Sequence, residues 1–167
     1  MNCVKISSRH DLPFNLIKFQ PECLVSIVDV NAKIPEVVKN FNGPKLVMKF
    51  DDLLSDEEHG NAPNKEHIMK AISFAINNKG KSFLIHCTAG ISRSSAMALL
   101  IEVISDFKDP KETLIKLMDK NPDIFPNDRI IKLATKITKI DFFTPFNELK
   151  RIMEIRFAQR LMRGDDE

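Results

Sequence analysis

Phe83-Leu84-Ile85-His86-Cys87-Thr88-Ala89-Gly90-Ile91-Ser92-Arg93-Ser94 decides how this chain is read. Phe83, Leu84 and Ile85 form a short apolar run of the kind that fills a buried strand. Cys87 stands where that strand should end. Small or neutral residues follow as far as Arg93, and Ser94-Ser95-Ala96-Met97-Ala98-Leu99-Leu100-Ile101 then reads as a helix. A strand, a tight loop and a helix N-terminus make an anion site, because the helix dipole and free backbone N–H groups point into the loop. A thiol beside a helix N-terminus or a cation is favoured as the thiolate, the nucleophilic form. The planar fork of Arg93 matches two phosphate oxygens at once. Gly90 permits the positive φ that a close backbone approach requires. Thr88, Ala89, Ile91 and Ser92 carry no charge, so the loop neither repels a phosphate nor adds to its neutralisation.

Cys-x5-Arg alone is a weak signal; the strand before it, the glycine within and the apolar helix beyond make it specific. An inert cysteine at a strand end would leave an arginine and three hydroxyls crowding an apolar site without a reason. The segment His86-Cys87-Thr88-Ala89-Gly90-Ile91-Ser92-Arg93-Ser94 resembles the His-Cys-x5-Arg-Ser/Thr signature of the protein tyrosine phosphatase superfamily. Its Ala89-to-Ser94 portion is most similar to the dual-specificity branch and to small bacterial tyrosine-phosphatase-like proteins. The resemblance covers roughly residues 20–140. It implies a three-layer α/β fold with a mostly parallel sheet of four to five strands flanked by helices. It also implies that Cys87 attacks phosphorus, that Arg93 and the loop N–H groups of residues 88–92 hold the equatorial oxygens, and that a cysteinyl-phosphate forms. On the same grounds His86 hydrogen-bonds the loop backbone and Ser94 donates to the Cys87 sulfur. The plainer readings are a strand cap for His86 and an N-cap-like hydroxyl for Ser94.

Cleaving a phosphate ester also needs a proton for the leaving oxygen. Lys45-Leu46-Val47-Met48-Lys49-Phe50 reads as a strand that runs straight into Asp51-Asp52, at the sheet edge where α/β proteins bind ligands. The resemblance selects Asp52 as the general acid, since Phe50-Asp51-Asp52 is similar to Phe-x-Asp in several dual-specificity-type enzymes; Asp51 is the runner-up. The charged stretch over residues 53–62, with His59 and Gly60, is long enough to move as a flap. Pro63 opens the next helix, with Ile68, Ala71, Ile72, Ala75 and Ile76 as its apolar stripe and His67 on its surface. Strand, helix and strand across residues 45–86 form a βαβ unit, hence a parallel sheet.

The chain has 167 residues, 43% hydrophobic and 29% charged, with a net charge of +2. That suits a single soluble domain and implies no nucleic-acid-binding field. No apolar run approaches a membrane span of about 20 residues. Three cysteines form no disulfide framework and point to a reducing, cytoplasmic setting. Cys3-Val4-Lys5-Ile6-Ser7 and Cys23-Leu24-Val25-Ser26-Ile27-Val28 read as strands, with Cys3 and Cys23 as small core residues. A lesser expectation is that one of these two traps oxidised Cys87 as a disulfide. Residues 8–13 form a turn ended by Pro13, and a helix covers residues 14–19. Arg9 and His10 lie on a surface turn or border the site, and Asp29 and Asn31 mark the loop after the second strand. Asp109-Pro110-Lys111-Glu112 starts one helix and Phe125-Pro126-Asn127 another. The Pro126-Asn127 pair also resembles a structural Pro-Asn of the family.

Two parts follow: a phosphatase domain over residues 1–142 and a basic amphipathic helix over residues 146–163. That helix carries Lys150, Arg151, Arg156, Arg160 and Arg163, and it packs on the domain or meets a partner or anionic surface. The function implied is a cysteine-dependent phosphatase acting on phosphotyrosine, and also phosphoserine or phosphothreonine, in a phosphorylated protein. It needs no metal and no cofactor, because Arg93 and the helix end supply the positive charge. The alternatives are a phosphoinositide or RNA-5′-phosphate phosphatase with the same chemistry, or a non-catalytic phosphate-binding adaptor. An arsenate reductase or sulfur carrier fits less well, since the former places its cysteine near the N-terminus and neither explains Asp52.

Overall fold

The computed structural model describes residues 3–55 and 60–164. Residues 56–59 of the expected flap, His59 among them, lie outside the described residues. Four strands form one sheet, all parallel, in the order β1-β4-β2-β3: β1 Val4–Ser7, β2 Cys23–Val28, β3 Lys45–Lys49 and β4 Phe83–His86. Every residue of β2 and β4 is buried. That is why they are apolar nearly throughout, whereas β3, paired on one side only, is partly exposed.

Alternation along the strands sorts the side chains into two layers of contact. Cys23, Val25 and Ile27 of β2 and Phe83 and Ile85 of β4 join the larger core; Leu24 and Leu84 face a smaller one with Leu12 and Val38. α1 (Leu12–Phe19) and α2 (Glu36–Lys39) cover that smaller face. The other face carries α3 (Lys65–Asn77), α4 (Arg93–Asp106), α5 (Pro110–Lys120), α6 (Asp128–Thr138) and α7 (Phe143–Arg163). The architecture is therefore the expected three-layer α/β one, with the sheet at the lower end of the expected strand count.

α4 follows β4 and packs against α3, α5, α6 and β1, so twelve of its 14 residues are buried. Such a helix has no solvent face to show, so its middle, Ala96 to Ile101, is apolar on every side. Its N-terminus is thereby fixed at the C-terminal end of one of the two central strands. α7 adds Phe146 and Met153 to the same core that the sheet builds.

Several local readings change. Pro13 does not end a turn; it sits in the first turn of α1, where its missing N–H has no partner to lose. α3 starts at Lys65, not Pro63, because Asn64 caps it: Asn64 Oδ1 accepts from the His67 N–H, and His67 Nδ1 accepts from the Asn64 N–H. His67 is accordingly no plain surface residue; its ring also packs 4.5 Å from that of Phe50. α7 begins at Phe143, with Pro145 in its first turn. Cys23 is buried but Cys3 is exposed. Both precede or open strands whose far ends reach the Cys87 edge, since Cys23 pairs with Phe83 and Val4 does likewise. Four strand residues at about 3.3 Å each hold either thiol far beyond disulfide reach of Cys87.

Candidate active site

Cys87 follows directly on β4, and residues 88–92 turn tightly into α4. Gly90 has φ +71°, and a Cβ there would come within 2.7 Å of the Ser8 N. The loop thus requires glycine both for its backbone and for the β1–α1 connection pressed on it. The loop carbonyls are taken by donors from outside. Arg9 N–H bonds the Thr88 carbonyl at 3.0 Å, Phe125 N–H the Ile91 carbonyl at 3.0 Å and Asn127 N–H the Ser92 carbonyl at 3.1 Å. The Ser95 hydroxyl adds a bond to the Ile91 carbonyl at 2.5 Å. With those carbonyls turned outward, the N–H groups of residues 88–92 have no acceptor among the described residues. Successive free N–H groups around one turn form a nest for an anion.

Arg93 is the first residue of α4 and only 4% exposed. Its Nη1 donates to Asp29 Oδ1 at 2.7 Å and to the Phe50 carbonyl at 2.8 Å, and its Nη2 donates to Thr88 Oγ1 at 3.2 Å. Its Nε–H is buried with no partner among the described residues. Thr88 Oγ1 in turn donates to Asp29 Oδ2 at 3.2 Å. The guanidinium is therefore clamped along one edge and unsatisfied at Nε. A buried donor left in that state costs about 1–3 kcal/mol, which an oxyanion would relieve.

Cys87 Sγ donates to Ser94 Oγ at 3.1 Å. His86 is fully buried; its Nδ1–H donates to the Cys87 carbonyl at 3.3 Å, so its Nε2 accepts from Ser26 Oγ at 2.6 Å. Burial, with the nearby charges of Arg9 and Arg93, pushes its pKa down to about 4 against the opposing bond to Cys87. The imidazole is therefore neutral at pH 7 and supports the loop without adding charge.

The two carboxylates after β3 separate. Asp51 Oδ1 accepts the Val30 N–H at 2.9 Å and so braces the loop after β2. Asp52 Oδ1 accepts from Ser92 Oγ at 2.7 Å and from Asn127 Nδ2 at 2.8 Å, which brings it against the loop. These contacts bring Cys87, residues 88–93 and Asp52 together and leave Asp51 behind them. His10 is exposed on its turn, while the Arg9 side chain bonds the Lys33 carbonyl at 2.8 Å. Among the described residues no group of three His, Cys, Asp or Glu side chains is placed to hold a metal ion.

A cleft of about 680 Å³ is lined by Cys87 and its loop, by Asp29 and Asp52, and by Phe125, Pro126, Lys150 and Phe157. Sequence reasoning missed Asp29 as a partner of Arg93, though its place at the end of β2 is the same sheet-edge signal that singled out Asp52. It also gave Asn127 a structural role only. No sequence signal placed Lys150 and Phe157 here.

The chain has the fold of solved dual-specificity and protein tyrosine phosphatases. It resembles the structure of DUSP15 with a TM-score of 0.62 at 18% identity over 94% of each chain. It likewise resembles Cydia pomonella PTP-2 phosphatase (0.62, 16% identity, 81% of this chain and 86% of that one) and PTPMT1 in complex with PI(5)P (0.53, 13% identity, 94% of each). The likeness to DUSP15 extends well past the stretch over residues 20–140 where the sequence resemblance lies. No protein-family model matches the chain, and comparison with curated proteins gives no match.

Proposed function

We propose that the protein is a cysteine-dependent phosphatase that hydrolyses phosphotyrosine in proteins through a cysteinyl-phosphate, with phosphoserine and phosphothreonine as further substrates. One observation carries this reading. The buried Arg93 Nε–H and the N–H groups of residues 88–92 have no acceptor among the described residues, around the same turn that starts at Cys87. Those donors suit the equatorial oxygens of a phosphoryl group, and their fixed positions stabilise its charge as it transfers. The Cys87 thiolate attacks phosphorus in line, the S–P bond forming as the bond to the ester oxygen breaks, and that leaving oxygen takes a proton from the Asp52 carboxyl. The resulting carboxylate then draws a proton from water, whose oxygen attacks phosphorus and releases the thiolate to the Ser94 hydroxyl. Ser92 and Asn127 hold Asp52 for both steps. His86 and Ser94 support Cys87 without exchanging atoms with substrate.

PI(5)P in the PTPMT1 structure makes a phosphoinositide the second reading. The uncharged Thr88, Ala89, Ile91 and Ser92 favour a phosphoprotein, since a multiply phosphorylated head group calls for more cations in the loop. Purified protein should turn over para-nitrophenyl phosphate and be inhibited by vanadate. Cys87→Ser should abolish turnover and keep vanadate binding; a Cys87→Ser protein with full activity sinks the mechanism.

A further inference from the structure

The cleft is larger than the phosphate site at its floor. At about 680 Å³ it falls within the ~300–1,000 Å³ of sites that enclose a whole small ligand. Most charges around it are already matched. Arg93 is paired with Asp29 at 2.7 Å and Lys132 with Asp128 at 2.7 Å. Asp52 is held by the neutral donors Ser92 and Asn127. Among the described residues that line it, Lys150 is the cation left over. It lines the cleft half-buried, no carboxylate among the described residues reaches its ammonium, and its neighbour is the Phe146 ring, 5.8 Å away. Phe157 lies seven residues further along α7, two turns on and hence on the same helix face. Its ring packs 6.3 Å from that of Phe125, which extends an apolar wall from the loop to Lys150.

We infer that Lys150 and Phe157 form a subsite for a second anionic group, and that the substrate is a phosphotyrosyl peptide with an acidic residue beside the phosphotyrosine. This rests on the phosphatase reading above. The apolar wall of Phe125 and Phe157 takes the aromatic body, since ring pairs at these separations attract beyond simple burial. Lys150 then meets the neighbouring carboxylate. One unmatched lysine fits one extra negative charge; an inositol head with several phosphates would leave most of its charge unanswered. The subsite is made by α7, which gives that helix a part in selecting substrate as well as closing the core.

The test uses the full chain and three matched phosphotyrosyl peptides with glutamate, alanine or lysine next to the phosphotyrosine. A partly exposed ion pair is worth two- to fivefold, so kcat/KM for the glutamate peptide should exceed that for the alanine peptide by about that factor and the lysine peptide by more. Lys150→Met should flatten the series, Lys150→Glu should invert it and Lys150→Arg should keep it. Lys132→Ala should change the ratio less, because Lys132 is already neutralised by Asp128. The Met and Arg variants keep the stem, so the ratio stays readable if Lys150→Glu misfolds. Turnover of para-nitrophenyl phosphate with no preference among the peptides overturns the inference. So does an unchanged preference in Lys150→Met. Faster hydrolysis of a phosphatidylinositol monophosphate in vesicles than of any peptide overturns the substrate class. No turnover even of para-nitrophenyl phosphate overturns the phosphatase reading instead.

Discussion

The two ends of α4 bury charge to nearly the same degree and finish it differently. At the C-terminal end Glu102 is 7% exposed, and Lys108 reaches it at 2.8 Å and Asp106 at 3.1 Å. Burial works against the Lys108 charge, but the hydrogen bonds it donates to Glu102 and Asp106, with their negative charges, outweigh it and raise its pKa. Ser105 Oγ returns its hydrogen to the Ile101 carbonyl at 2.6 Å, and the Phe107 N–H closes the helix on the Val103 carbonyl. These polar groups are matched. At the N-terminal end Arg93 is as deeply buried, yet among the described residues its Nε–H has no partner, and neither do the N–H groups of residues 88–92. A buried polar group normally finds its partner within the protein. Several donors left open around one turn are what an anion from outside would satisfy.

Substitution at the two ends should therefore break different things. Arg93→Lys keeps the charge and loses the fork, with at least two oxyanion-type donors gone. At about 10²-fold or more for each, kcat should fall on the order of 10⁴-fold, with circular dichroism unchanged. Lys108→Met leaves Glu102 buried and unpaired, which costs roughly 1–3 kcal/mol. The melting temperature should fall by several degrees with kcat intact. A Lys108→Met protein that melts normally but loses activity would collapse the distinction between the two ends.

The open end was largely legible in the sequence, and for a physical reason. Strand, cysteine, glycine, arginine and helix occur within one short stretch, so local rules govern their geometry. The parallel sheet and its layers were legible as well, because buried strands are continuous apolar runs and βαβ units run in one direction. What escaped came from distant parts of the chain. Asp29 meets Arg93 across 64 residues and Asn127 meets Asp52 across 75. Lys150 and Phe157 enter the cleft from a helix read only as basic and amphipathic. Cys3 was misplaced because alternation sets which face a strand residue takes, whereas Cys3 stands just before β1.

The acidic pair repeats the contrast over a single step of sequence. Asp51 is occupied by the Val30 N–H, while both bonds to Asp52 fall on Oδ1 and leave Oδ2 without a partner among the described residues. General acid–base assistance is worth about 10²-fold or more, so Asp52→Ala should lower kcat by at least that much. Asp51→Ala should leave kcat within a few-fold and lower stability by about 1 kcal/mol for the lost bond. The ratio should narrow for substrates with good leaving groups such as para-nitrophenyl phosphate, which need the proton less. Equal losses in the two variants would move the acid role away from Asp52.

His86 carries the comparison inside the loop itself, for it is a matched group beside open ones. Both ring nitrogens are engaged and the pKa lies near 4, against about 6.5 in an unfolded chain. Between these values the unfolded state binds the extra proton and the folded state does not. Stability from this group is thus complete above pH 6.5 and is lost as pH falls toward 4. The loss between pH 7 and pH 5 should be on the order of 2 kcal/mol. His86→Gln, which can still bond Ser26 and the Cys87 carbonyl but does not titrate, should remove that part of the slope in denaturant melts across this range. A variant whose slope matches that of the parent protein would mean that the His86 ring is protonated in the fold, and that the loop is held by a charge rather than by a satisfied neutral ring.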